Sequence, residues 1–180
     1  MRNITLITTG GTIEKTYDET SGRLENRRSI VGRMIRRLRL EGTAISTIEL
    51  MSKDSLVMTD EDRLRIVEVV RAIAGERVGA SGAAITCQGV VILHGTDTLT
   101  HTGERLHAAI PHPAVPVVLT GAMRPYEMIR SDALQNLTEA IFATGVLAPA
   151  VYCIAHGRAL TFPGVQKDRE RGTFVKGLPS

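Results

Sequence analysis

The residues best suited to chemistry lie near the amino terminus. In ITLITTGGTIEKTYDE, residues 4–19, two adjacent glycines stand between threonines at the end of a short apolar run. Such a stretch can cradle a phosphate, hold a nucleophile, or simply turn a corner. A phosphate loop needs wider spacing and a Lys-Ser/Thr pair, and the dinucleotide fingerprint needs G-x-G-x-x-G. Here Gly10 and Gly11 are adjacent, with Thr12 and Ile13 after them. A hydroxyl held after a glycine turn suits a nucleophile better, because the missing side chains let a substrate approach the backbone. Threonine is a weak nucleophile and needs an activating partner. HGTDT, residues 94–98, offers the Thr96 hydroxyl to orient water and the Asp97 carboxylate beside it. A cation near that carboxylate would keep it ionised. Lys167, in GVQKDRE, is the candidate for that place.

The remaining reactive side chains offer less. His94, His101, His107 and His112 crowd one region, but helix and loop positions scatter their imidazoles. No metal site and no Ser-His-Asp constellation is expected from them, and no cofactor is implied. Cys87 and Cys153 fall far apart in or beside strand-like runs and read as buried, reduced thiols.

The elements that must position these groups alternate. Strands are expected at residues 4–9, 44–50, 90–93, 115–119 and 150–154. Helices are expected at residues 29–40, from Asp60 with Leu64, Val67, Val70 and Ile73 on one face, over 100–110, and after a Ser131 or Asp132 cap. A hairpin strand over 158–162 and a charged run over 167–171 complete the chain before a GLPS tail. This pattern predicts an α/β fold: one doubly wound, mostly parallel sheet flanked by helices, in a single domain over residues 1–180. Ligands bind at the carboxyl ends of the strands in such sheets, which is where TTGGT, Ser52-Lys53-Asp54, HGTDT, TGAMRP and HGR fall.

These motifs carry a family resemblance. TTGGTI (residues 8–13), HGTDT (94–98), TGAMRP (120–125) and RSDALQNLTEA (130–140) closely resemble the bacterial L-asparaginases of the threonine-nucleophile type, from residue 4 to about 175. The resemblance implies that Thr12 attacks the side-chain amide and that Thr96, Asp97 and Lys167 form a second catalytic group. It implies that Ser52 holds the substrate α-carboxylate and Asp97 its α-ammonium, with Gly11 or Thr96 donating to the oxyanion. Tyr17 is the counterpart of the tyrosine in the mobile segment after TGGTI, although it stands closer to that motif than is usual. Lys53 replaces a glutamine or small polar residue; it either adds a cation for the carboxylate or is a solvated rim lysine. The chain stops where the family's smaller carboxyl-terminal domain would begin, so it resembles the short-chain members.

Composition narrows the partners. Hydrophobic residues at 43% and charged residues at 23% fit a soluble globular protein. Aromatics at 3%, without Trp, leave few platforms for stacking bases, so no nucleic acid is expected. No segment approaches a membrane span and no secretory leader is apparent, which points to the cytoplasm and away from membranes. The densest basic cluster, Arg33, Arg36, Arg37 and Arg39, reads as a solvated helix face, with an anion-binding or interface face as the alternative. Arg124 and Arg130 read as members of structural ion pairs.

The expected activity is hydrolysis of L-asparagine to L-aspartate and ammonia. The alternatives are a related amidase or glutaminase, an amidotransferase component acting on aminoacylated tRNA, and a non-catalytic amino-acid-binding protein on a truncated fold. By analogy with the family, a homo-oligomer, dimer or tetramer, is expected.

Overall fold

A computed structural model describes residues 1–74 and 87–177, so most of the GLPS tail lies outside the described residues. The chain begins with β1 (Arg2–Gly10), a 3-10 turn over Thr12–Glu14, and a small hairpin of β2 (Thr16–Asp18) and β3 (Arg23–Glu25). Next come α1 (Val31–Ile35), β4 (Thr43–Lys53), a second 3-10 turn (Ser55–Val57) and α2 (Asp60–Ala74). The second half alternates β5 (Val90–Leu93), α3 (Leu99–Ala109), β6 (Val117–Thr120), α4 (Ala133–Ala143) and β7 (Val151–Ala155). It ends with β8 (Arg158–Thr161) and a hairpin of β9 (Val165–Asp168) and β10 (Thr173–Lys176).

Six strands form the main sheet in the order β4-β1-β5-β6-β7-β8. All pairings are parallel except β7 with β8. The expected α/β architecture is therefore borne out. The apolar alternation along the central strands explains its three layers. Val90 and Ile92, Val117 and Leu119, and Val151 and Cys153 face α2, α3 and the β9–β10 hairpin. Val91 and Leu93, Val118, and Tyr152 and Ile154 face α1 and α4. A strand buried on both sides must be apolar at every position, and β5 and β6 nearly are. The chain order reverses between β1 and β5, which opens a crevice at the carboxyl ends of those strands.

Several local expectations need correction. The helix expected over 29–40 shrinks to α1, five residues long. Its start has no side-chain cap, Gly32 weakens its first turn, and Arg33, Arg36 and Arg37 repel one another at helical spacing. Helix α2 is capped by Thr59 rather than Asp60: Thr59 Oγ1 accepts the Asp62 N–H while Asp62 accepts the Thr59 N–H. Its buried stripe runs through Arg63, Ile66, Val67, Val70 and Ala74, leaving Leu64 exposed. Ser131 Oγ accepts the Ala133 N–H at the start of α4, whereas the Asp132 carboxylate turns back to the N–H groups of Met123 and Arg124. The two cysteines are free and buried, and burial pushes the Cys153 thiol up to about 12. Among the described residues neither Arg124 nor Arg130 makes an ion pair; the Arg124 backbone is used instead, by Asp132 and Ser131.

Candidate active site

Missing side chains bring the motifs together. Gly10 and Gly11 adopt φ of +93° and +79°, which turns the chain sharply off β1. A β-carbon on Gly10 would lie 2.5 Å from the Lys53 nitrogen, and one on Gly11 would lie 2.4 Å from Gly95. The Gly11 N–H donates to the Lys53 carbonyl at 2.9 Å. Gly121, from TGAMRP, would place a β-carbon 2.3 Å from the His94 carbonyl and 3.2 Å from Thr96 Cγ2. The ends of β1, β4, β5 and β6 thus meet backbone to backbone around half-buried Thr12 and buried Thr96.

The crevice contains a lysine-centred cluster. Lys167 Nζ donates to Thr96 Oγ1 at 2.8 Å and to Asp97 Oδ1 at 3.0 Å. β9 carries the lysine, and Val165 and Phe174 of its hairpin are anchored in the core beside α3. With Nζ donating to Thr96, the threonine's own proton is free to point toward a ligand or a water. Arg169 Nη1 also donates to Asp97 Oδ1, at 3.0 Å, from a mostly exposed side chain. Sequence reading missed Arg169, which lies in the turn just past β9 and reads as one more member of the charged run.

Three further groups brace the first turn, and none stood out in the sequence. Asn26 Nδ2 donates to the Gly11 carbonyl at 2.8 Å. Lys15 Nζ pairs with Asp54 at 2.7 Å, and that contact is the main reason the Asp54 carboxyl lies below its ordinary range. Glu14 is buried beneath the turn, accepting the Gly10 N–H at 3.2 Å and the Ser29 hydroxyl. Burial raises the Glu14 carboxyl above its ordinary value of 4.5 despite those hydrogen bonds, and Glu49 adds to the rise.

His94 is fully buried and internally satisfied: Nδ1–H donates to the Gly95 carbonyl and Nε2 accepts from Thr102 Oγ1, both at 2.9 Å. Desolvation drives its pKa down to about 4, so it is neutral at ordinary pH and serves the shape of the HGTDT turn. At the far side, Asp132 receives His156 Nε2 at 2.8 Å while His156 Nδ1 meets Thr173 Oγ1 at 3.0 Å. This chain ties the TGAMRP segment to β10, the partner strand of β9.

The other sequence-derived candidates are placed differently. Ser52 is exposed next to Lys53 at the end of β4. Lys53 Nζ is bound to both Asp62 oxygens, at 2.7 and 2.8 Å. Tyr17 is 58% exposed on β2, and its hydroxyl lies over the Gly22 turn of its own hairpin. Among the described residues no three His, Cys, Asp or Glu side chains gather as a metal site requires. No described helix is long and apolar enough to cross a membrane.

Comparisons with known proteins agree on the kinship. The family model for the amino-terminal region of asparaginases matches residues 3–171. The L-asparaginase of Thermococcus kodakarensis is 32% identical over 144 residues, covering 80% of this chain and 41% of that protein. A component of the glutamyl-tRNA(Gln) amidotransferase of Methanococcus vannielii is 29% identical over 157 residues, covering 87% and 35%. In three dimensions the thermostable T. kodakarensis L-asparaginase superposes with a TM-score of 0.80 at 28% identity, over 97% of this chain and 51% of that one. A probable cytoplasmic L-asparaginase from Campylobacter jejuni gives 0.74 at 29% identity, over 98% and 52%. The chain thus spans about two fifths of the length of these curated relatives. With TTGGT, HGTDT and TGAMRP joined at one sheet edge and the family model matching nearly end to end, the chain belongs to the asparaginase family.

Proposed function

We propose that this protein hydrolyses L-asparagine to L-aspartate and ammonia, with residues 1–180 acting as one catalytic domain. Thr12 Oγ attacks the side-chain amide carbon; the C–N bond breaks and ammonia leaves with a proton from the site. Water then cleaves the resulting ester, returning the Thr12 proton and releasing aspartate. Thr96 orients that water, Lys167 holds Thr96 and Asp97 in place, and the Thr96 backbone N–H receives the developing oxyanion, the Gly11 N–H being taken by the Lys53 carbonyl. Asp97 binds the substrate ammonium and Ser52 its carboxylate. Lys53, with its ammonium on Asp62, is left out of the substrate set. Tyr17 takes part only if the β2–β3 hairpin swings inward, since its hydroxyl lies over Gly22.

The observation that carries this reading is Lys167 Nζ bonded at once to Thr96 and Asp97. A protein that only binds amino acids has no use for an ammonium placed on a second buried hydroxyl. Coupled release of ammonia and aspartate from asparagine, measured beside glutamine, tests it. Absence of turnover with tight asparagine binding in calorimetry favours a binding protein instead.

The similarity to an amidotransferase component over 87% of the chain supports a second reading, in which ammonia from the amide is delivered to a tRNA-linked partner reaction. A gel shift with tRNA separates the two. We place the protein in the cytoplasm, as its Campylobacter neighbour is described, and as a homodimer or tetramer. Sedimentation velocity tests the assembly.

A further inference from the structure

A second concave surface lies outside the lysine-centred cluster. A cleft of about 750 Å³ runs between the β2–β3 hairpin and α1, walled by Arg27, Arg28, Arg33 and Arg36 and by Glu49 and Glu127. Neither Thr12, Thr96, Asp97 nor Lys167 lines it. Four guanidinium groups and two carboxylates line it. Arg27 is held by Asp18 and Glu25, and Arg33 by Glu127 at 2.9 Å. Among the described residues Arg28 and Arg36 have no carboxylate partner. Arg36 folds back over Gly32, where a β-carbon would lie 3.5 Å from its Nη1, and this keeps the guanidinium at the cleft wall.

Like charges at helical spacing oppose folding of α1, yet Arg33 and Arg36, both exposed, border the same concavity as Arg27 and Arg28. Arg28 and Arg36, the two guanidinium groups without a carboxylate partner among the described residues, leave local positive charge in the wall that attracts anions. The guanidinium fork matches phosphate oxygens in pairs, and the cleft volume falls in the range that encloses a nucleotide-sized ligand. The two carboxylates in the wall interrupt any continuous track for a polynucleotide backbone, and aromatic residues for stacking are scarce.

We propose that the cleft formed by Arg27, Arg28, Arg33 and Arg36 binds a small molecule bearing a diphosphate or longer phosphate group. Occupancy reaches the hairpin through one carboxylate. Glu127 Oε1 holds Arg33 while its Oε2 accepts the Tyr17 N–H at 3.2 Å. A ligand that recruits Arg33 and Arg27 redistributes the contacts that hold β2 and β3. The site stands independently of the proposed hydrolysis.

Isothermal titration with inorganic pyrophosphate at fixed ionic strength tests the proposal, with sulfate and orthophosphate as comparisons. The expected result is saturable one-to-one binding, tighter than for either comparison ion. Arg28→Gln combined with Arg36→Gln weakens it at least about tenfold, as loss of charge-assisted hydrogen bonds requires. Arg39→Gln, outside the cleft lining, leaves it unchanged. Pyrophosphate also slows tryptic cleavage after Arg27 and Arg28. Absence of saturable binding to the wild type overturns the proposal, as does equal affinity in a folded double variant. Binding of single-stranded RNA without pyrophosphate binding overturns it in favour of a nucleic-acid surface.

Discussion

Gly11 and Gly95 meet with no side chain between them: a β-carbon on Gly11 would fall 2.4 Å from both the nitrogen and the Cα of Gly95. That contact joins the first motif to the second, and the positive φ of Gly11 excludes most other residues on its own account. Gly11→Ala therefore forces backbone apart in two strand ends at once. It is expected to abolish asparagine turnover and to destabilise the fold by more than about 1 kcal/mol. Gly42→Ala is the control: its φ is +60°, with nothing within 4 Å of the added carbon. It bears only the backbone strain and keeps full activity, as thermal melts beside initial rates will show.

Lys167→Met removes both hydrogen bonds of the ammonium while keeping much of its aliphatic bulk. Asp97 retains Arg169, so the fold survives. The turnover number should fall by about 10²–10⁴, the range for losing a proton-handling group. A variant that keeps wild-type kcat would remove Lys167 from the chemistry.

Arg169 donates to the same Asp97 oxygen as Lys167, Oδ1, and so adds a second cation beside the carboxylate proposed to bind the substrate ammonium. Its side chain is 70% exposed, so the pair is worth little in water. Arg169→Gln is expected to lower KM for asparagine by roughly two- to fivefold while kcat stays nearly constant. Steady-state kinetics at constant ionic strength reads both numbers.

Glu14 and His94 set opposite pH limits. The Glu14 carboxyl is raised above 4.5 by burial, so its contribution to stability is complete below that value and is lost as pH rises through the folded value. Glu14→Gln keeps an acceptor for the Gly10 N–H and should flatten this alkaline-side loss. Glu14→Ala leaves that N–H unpaired at a cost of about 1–3 kcal/mol. His94 is depressed from 6.5 to about 4, so its contribution is complete above 6.5 and disappears as pH falls toward 4. That loss is on the order of 3 kcal/mol. Chemical denaturation across pH 4–8, wild type beside Glu14→Gln and His94→Gln, separates the two limbs.

The central strands β5, β6 and β7 were legible because they are apolar on both faces, and the motifs at the strand ends marked the crevice. The short hairpins were not. β2 and β3 are three residues each, too brief for any alternation to register. β9 was hidden inside a charged run because Lys167 and Arg169 point toward Asp97 rather than into the core. The approach of Lys167 to Thr96, 71 positions away, was expected from the need for a cation beside Asp97 and from the family resemblance; spacing along a chain does not encode a contact of that range. Glu14 escaped notice because a glutamate beside Lys15 looks like surface charge, yet the 3-10 turn rotates it inward. Lys53 was ambiguous in sequence between rim and site, and the Thr59–Asp62 cap resolves where its ammonium goes.

The central claim is that the Thr12 hydroxyl, presented by the Gly10-Gly11 turn beside the Lys167–Thr96–Asp97 cluster, is the nucleophile. Its most direct test is the initial rate of ammonia and aspartate release from L-asparagine by wild type and Thr12→Ala. The wild type should release both products in equal amounts, and Thr12→Ala should lose at least about 10³ in kcat while still binding aspartate. Undiminished turnover by a folded Thr12→Ala protein, or no turnover by the wild type, would contradict the account.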